Sequence, residues 1–439
     1  MSARIGTACE RSSGARRSTP RAGPISTITG DGTRADARER LSIKILTCHN
    51  FYQADGGENQ VFRHEQALLA AHGETVVEYS RSSRELVELS IIGRAGAFAA
   101  GFWSARTVRD VDALLKRERP DVALVQNVFP LLSPSLYRAL AGRLPIVQLV
   151  FNYRLVCPNA QLYTEGAICE RCVPGNTMHA VVHRCYRDSR AYSAWYAAIV
   201  GVHRAAGTWR LVDRFVVPDR FLAAKLVEGG LPAERMRVNS NPFDLAGYEP
   251  SPPGDYALFV GRFAPQKGVL TLIEAMGRTA SDIRLVMVGD GEARAEVARR
   301  IERLRLSRRV ELAGAQWGDA VKRLIAGARM VIVPSEWYDN APLIAYQAYA
   351  SGKPLIASRI SGLLEVVADG VDGILVPPAD PGALAAAIDR LAQDVDLARA
   401  MGMAGRRKAE EQWSASAHYR RLRAILDEVV HPAASCSAR

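Results

Sequence analysis

Two cations stand close together in Gly261-Arg262-Phe263-Ala264-Pro265-Gln266-Lys267-Gly268, directly after the apolar run YALFV and before the helical pattern VLTLIEAM. A strand feeding a helix through such a loop places Arg262, Lys267 and a helix N-terminus on one sheet edge, an arrangement suited to a diphosphate. The alternative is that both charges face solvent. A second loop, Val288-Gly289-Asp290-Gly291, closes another apolar run. Its glycines let the backbone approach a ligand, or simply supply a strand-to-helix turn with unusual dihedrals. Arg294 stands where the third glycine of a G-x-G-x-x-G fingerprint falls, which disfavours a nicotinamide-dependent oxidoreductase.

Cys157, Cys169, Cys172 and Cys185 form C-x11-C-x2-C-x12-C. A C-x2-C pair with two further thiols has the spacing of a structural zinc site, with buried free thiols as the alternative. His179 and His183, one helical turn apart, are alternative ligands or an ordinary helix face. Asp110-Val111-Asp112 and Asp394-Val395-Asp396 have the D-x-D form that binds a divalent ion with a diphosphate. Both lie in helical patterns and read as surface acids, so no catalytic metal is expected. There is no Walker A loop and no G-x-S-x-G elbow.

The elements that must position these residues follow a regular beat. From Ile43, apolar β-branched runs (SIKILTCH, ETVVEYS, DVALVQNV, PIVQLVFN) alternate with amphipathic stretches, including a helix from about Gln60 to Ala71. This is the signature of βαβ units and a parallel sheet. After the connector GYEPSPPGD the alternation restarts with YALFVGR, IRLVMVG, RVELAG, MVIVPS, KPLIAS and GILVPP, separated by helical patterns. The fold class expected is α/β, with two Rossmann-like doubly wound parallel-sheet domains facing a central cleft. Its parts are a disordered tail over 1–40, a first domain over 41–246, a second over 255–408, and a helix over 409–430 returning toward the first.

The 439 residues suffice for two domains, each with its own core. No apolar run is long enough to span a bilayer. The net charge of +11 is uneven, since residues 1–40 hold eight Arg against four acids. The moderate surplus left over suits nucleotide phosphates, a lipid pyrophosphate or an anionic membrane surface. No basic stripe with interleaved aromatics points to nucleic acid. Seven cysteines without an apolar h-region near the N-terminus suggest a reducing cytoplasm. Residues 187–210 mix Trp and Tyr with Arg, and read either as a peripheral contact with the inner face of the plasma membrane or as a partly buried helix.

The most specific stretch runs from Pro334-Ser335-Glu336-Trp337-Tyr338-Asp339-Asn340-Ala341-Pro342-Leu343 through Gln347-Ala348 and Ser351-Gly352-Lys353-Pro354 to Ser361-Gly362-Leu363-Leu364-Glu365. Together with GRFAPQKG and VGDGE it resembles the donor domain of glycosyltransferase family 4, retaining enzymes of the GT-B fold. HNFYQADGGENQVFRHEQALLAAHG, QNVFPLLSPSLYRAL and NYRLVCPNA are similar to that family's first half. The resemblance, which extends from about residue 43 to 425, implies that Arg262 and Lys267 bind the donor diphosphate and stabilise the charge that develops on the leaving nucleotide. It also implies a donor site lined by Gly261, Gly289, Gly291 and Glu365, with Gly56 and Gly57 facing the phosphates from the other domain. The family's E-x7-E motif maps onto Asp339, toward the donor sugar, and Gln347, toward the ribose. Asp339 keeps a carboxylate on a shorter stem, whereas Gln347 keeps hydrogen bonding without charge. Phe151 stands where many members have His. The implied reaction moves a sugar, with retention, from a nucleoside-diphosphate sugar to a hydroxyl of a glycan or lipid-linked acceptor in bacterial surface-polysaccharide synthesis. A catalytically degenerate sugar-nucleotide-binding protein is the alternative left open by Asp339, Gln347 and Phe151.

Overall fold

The computed structural model describes residues 42–53, 57–86, 96, 98–340 and 342–432. The tail expected over 1–40 and Gly56 both lie outside them. Alternating apolar runs and amphipathic stretches build two six-stranded sheets. In the first, β1 (Lys44–Phe51), β2 (Thr75–Ser82), β3 (Val122–Val125), β4 (Ile146–Leu149), β7 (Arg214–Val217) and β8 (Met236–Val238) take the order β2-β1-β3-β4-β7-β8. Every pairing in it is parallel. The residues of β3 and β4 are buried throughout, as expected of strands covered by helices on both faces. A two-stranded hairpin, β5 (Tyr163–Thr164) and β6 (Ala167–Ile168), sits in the β4–β7 connection.

The second sheet contains β9 (Tyr256–Val260), β10 (Arg284–Val288), β11 (Val310–Gly314), β12 (Ala328–Val333), β13 (Leu355–Ser358) and β14 (Gly373–Val376) in the order β11-β10-β9-β12-β13-β14, again all parallel. Chain direction across each sheet reverses between β1 and β3 and between β9 and β12. In doubly wound sheets, ligands bind beyond the carboxyl ends of the strands at these points.

The helix Ala415–Val430 crosses back to the first sheet. Its Leu422, Ile425 and Leu426 pack with Ile43, Ile45, Leu69, Val122, Leu124 and Val147. Two polar anchors fix its register: His418 Nε2 lies 2.9 Å from Glu65 Oε2, and Arg423 Nη1 lies 2.6 Å from Glu74 Oε1. The Arg423 and Glu74 side chains are only 6% and 2% exposed, so removing Arg423 would leave Glu74 buried without its cation at a cost of about 3–5 kcal/mol, whereas removing Glu74 leaves Arg423 on Asp427 at 3.0 Å.

Candidate functional site at the edge of the second sheet

The loop after β9 turns through a short 3-10 segment, Pro265–Lys267, into the helix Val269–Met276. At the boundary Gly268 has φ +68°, and a Cβ there would come within 1.8 Å of the Pro334 carbonyl oxygen, so only glycine lets the two loops approach. The loop after β10 is tied to the same place. Gly261 N donates to Val288 O, and Phe263 N donates to Asp290 O at 2.9 Å. Gly289 adopts φ +141°, with the Gly261 carbonyl oxygen 1.9 Å from where a Cβ would sit. Gly261, Gly289 and Gly291 thus belong to one interlocked pair of loops.

Lys267 Nζ lies 2.6 Å from Asp339 Oδ2, and Ser335 Oγ donates to the same oxygen at 2.8 Å. Ser361 Oγ donates to the Asp339 carbonyl at 2.9 Å. Asp339 is buried, and Lys267 also lies 5.2 Å from the Trp337 ring centre. Arg262 is far more open, 55% exposed, and its nearest carboxylate is Glu292 at 4.0 Å. One cation is therefore held by an acid and the other is available to an incoming anion.

Other residues marked from sequence hold different partners. Gln347, on the helix Leu343–Ala350, donates to Tyr248 Oη at 3.1 Å. Glu365 accepts from the backbone N–H groups of Arg220 and Phe221 at 2.8 and 3.2 Å, so its carboxylate caps the first-half helix Arg220–Glu228. Glu336 accepts from the Thr271 hydroxyl at 2.5 Å. Gly57 opens the helix Gly57–Ala71, three residues ahead of the start expected near Gln60. The D-x-D acids are surface groups: Asp112 pairs with Lys116 and Arg143, and Asp394 caps the helix Val395–Lys408.

Across the cleft, the Phe151–Arg154 loop meets the Asp339 loop. Tyr153 Oη donates to Asn340 Oδ1 at 2.5 Å, and Asn340 Nδ2 donates to Phe151 O at 3.2 Å. Asn152 Nδ2 donates to Glu58 Oε1 at 2.7 Å, Tyr52 Oη donates to Glu58 Oε2 at 2.9 Å, and burial raises the Glu58 carboxyl. Asp219, the N-cap of helix Arg220–Glu228, is also buried. Its Oδ2 has no hydrogen-bond partner among the described residues, and burial lifts its pKa to about 7. Sequence reasoning passed over Glu58, Asp219 and Asn340. Asp219 had a signal, an Asp immediately before a helical pattern, whereas Asn340 acquires its role only from the facing domain.

The four cysteines do come together. Cys157, Cys169, Cys172 and Cys185, with His179, line a cavity of about 10 Å³. They are free thiols, and burial pushes Cys172 up to about 12 and also raises Cys157 and Cys185. Among the described residues no three His, Cys, Asp or Glu side chains stand in a geometry that holds a metal ion. His183 turns elsewhere, to Glu165 at 2.9 Å.

Two doubly wound parallel-sheet halves, facing each other across a cleft with glycine-bearing loops at the switch point, define the GT-B architecture. The family model described as glycosyl transferases group 1 matches residues 247–408. Among curated relatives, an α-D-kanosaminyltransferase of Streptomyces kanamyceticus is 30% identical over 39% of the chain and 45% of its own length. A lipopolysaccharide 1,2-N-acetylglucosaminetransferase of Salmonella typhimurium is 30% identical over 36% of the chain and 48% of its length. The chain thus spans about half the length of the curated relatives it matches. Of solved structures, Anabaena HepE in complex with UDP-glucose superposes with a TM-score of 0.60 at 17% identity, covering 88% of this chain and all of that one. Sucrose-phosphate synthase from Thermosynechococcus elongatus gives 0.63 at 21% identity, over 87% and 99%. At such identities these two speak for the fold.

Proposed function

We propose that the chain is a retaining glycosyltransferase that moves a sugar from a nucleoside-diphosphate sugar to a hydroxyl of a glycan or lipid-linked acceptor, in the synthesis of a cell-surface polysaccharide. The observation that carries this reading is the meeting of Lys267 and Asp339 beyond β9 and β12, beside the open Arg262, inside the stretch matched by the family. In this reading the donor diphosphate lies between Arg262 and Lys267, against the backbone of Gly261, Gly289 and Gly291. Gly57 approaches it from the facing half, Gln347 serves the ribose, and Glu365 lies at the edge of the donor site. Lys267 exchanges part of its bond to Asp339 for phosphate oxygen, which frees the carboxylate for the donor sugar. Departure of the nucleoside diphosphate builds negative charge, which fixed cations stabilise most as it forms; they take the place of a divalent metal. The departing phosphate is positioned to accept the acceptor hydroxyl's proton on the same face.

Acceptor and donor units over 41–246 and 255–408 follow from this reading, and so does work at the cytoplasmic face of a membrane. For the thiol cluster we propose a structural zinc. It is supported by four cysteines converging on one cavity, whose sulfurs must turn inward to reach the usual Zn–S distance of about 2.3 Å.

The test is a thermal-shift panel of UDP, GDP, ADP and dTDP sugars on wild type, Arg262→Ala and Lys267→Ala, scored by the ligand-induced shift because Lys267→Ala also disturbs Asp339. At least one sugar nucleotide should stabilise wild type, by about 2.7 kcal/mol at a hundred times its Kd, and should lose most of that effect in both variants. Equal stabilisation of all three proteins sinks the assignment.

A further inference from the structure

A cavity of about 530 Å³ opens in the first half beside the Phe151–Arg154 loop, a size that holds a sugar-sized ligand. Its wall is aromatic, with Tyr186, Tyr192, Trp195 and Tyr196, and it contains two guanidinium groups, Arg154 and Arg187. The rings are held firmly. Trp195 Nε1 donates to Phe98 O at 2.8 Å, and Tyr196 packs 4.5 Å from Tyr186 and 4.7 Å from Trp195. Trp195 and Tyr196 are themselves buried, with Phe98 stacked on Trp195 at 4.4 Å, so the rings open to a ligand are Phe98 and Tyr192, whose faces suit the apolar C–H face of a pyranose ring.

No carboxylate contacts either guanidinium of this cavity among the described residues, although Glu58 acts on Arg154 electrostatically. The Arg154 guanidinium lies 4.4 Å from the Tyr196 ring centre and 5.4 Å from that of Tyr186, and it donates through Nη1 to the Pro158 carbonyl. Arg187 lies 5.7 and 5.8 Å from the Tyr186 and Tyr192 ring centres. The hydrogen bonds of Glu58 go instead to Tyr52 and Asn152. Aromatic faces hold a cation in place without cancelling its charge. A neutral sugar filling the cavity would return only ordinary hydrogen bonds from its hydroxyls to the two guanidiniums, whereas an anion would return stronger, charge-assisted ones. The cavity also adjoins the cleft, because Tyr153, next to Arg154, bonds to Asn340, next to Asp339.

We propose that this cavity is the acceptor site and selects an acceptor with an anionic group beside its sugar ring, the anion on Arg154 and Arg187 and the ring against Phe98 and Tyr192. This rests on the transferase reading above. A diphosphate link to a lipid and the carboxylate of a uronic acid offer the same chemistry, and the experiment separates them. Quenching of tryptophan fluorescence in the full chain is titrated with farnesyl diphosphoryl-N-acetylglucosamine, p-nitrophenyl glucuronide and p-nitrophenyl glucoside, with binding of UDP sugars measured in parallel. One anionic probe should bind at least about tenfold more tightly than the neutral glucoside, and which one identifies the source of the anion. Arg187→Gln, a surface change, should erase that preference while leaving nucleotide binding intact, and Arg154→Gln should do the same. Equal binding of neutral and anionic probes, a preference that survives both substitutions, or no probe binding while a sugar nucleotide binds would each overturn the proposal. Loss of nucleotide binding in wild type would instead count against the donor reading.

Discussion

Asp219 shows how one buried side chain can carry a pH signature unrelated to its visible contact. Its Oδ1 accepts from Leu222 N at 2.7 Å, while Oδ2 is buried without a hydrogen-bond partner among the described residues and Glu365 and Asp339 face it with like charge. Burial is the main cause of the lifted pKa, so the neutral form is favoured on folding. The sign follows from linkage. The carboxyl aids the folded state below its ordinary pKa of 3.8, and that contribution is lost as pH rises through about 7. Asp219→Asn keeps a capping oxygen and removes the titration. The variant should therefore gain about 2–4 kcal/mol on wild type between pH 4 and pH 8, read from urea midpoints. Parallel pH dependences in the two proteins would refute this. Lys267 and Asp339 were both legible from sequence as separate site residues. Their pairing was not, because they stand 72 positions apart and only the β9–β12 adjacency brings them together.

At the scale of elements, all six strands of the second sheet were legible, because short β-branched runs alternate there with compact amphipathic helices and the connections are brief. The β4–β7 connection was less readable. It contains a two-residue hairpin and a helix of five residues, Met178–Val182, both too short to set a period. Its cysteine spacing nevertheless marked residues that the hairpin and helix bring to one cavity. In that setting burial keeps the thiols of Cys157, Cys172 and Cys185 protonated unless a cation ionises them. Protein purified without chelator should contain stoichiometric zinc by elemental analysis, and Cys169→Ser should lose most of it and melt at lower temperature. A zinc-free wild type would leave the cluster as buried thiols. Glu365 marks another limit of legibility: its motif suggested a ligand contact, while in the fold it caps a helix of the opposite half, a partner that depends on how the halves meet.

On the whole molecule, one flank of the first half combines exposed apolar groups with several arginines. The helix Arg190–Ala205 buries Trp195, Tyr196, Ile199 and Val200, as expected of a partly buried helix, yet leaves Tyr192 and Val202 exposed. The neighbouring helix Met178–Val182 adds exposed Met178 and Val182, with Arg184, Arg187 and Arg190 close in sequence and exposed. No helix among the described residues is long and apolar enough to cross a membrane. Such a flank suits attachment to an anionic lipid surface. The protein should co-sediment with phosphatidylglycerol vesicles more than with phosphatidylcholine vesicles, and Val182→Asp should weaken this; equal pelleting with and without vesicles would exclude it. Finally, the Tyr153–Asn340 bond has a consequence for anyone recombining the two halves. The loop bearing the proposed sugar-facing acid takes part of its shape from the opposite half, so the second half is not a self-contained cassette. A chimera that transplants 247–408 into a foreign partner should keep its nucleotide grip, which is built within one sheet edge. It should regain the orientation of Asp339 only when 151–154 and the returning helix 415–430 travel with it.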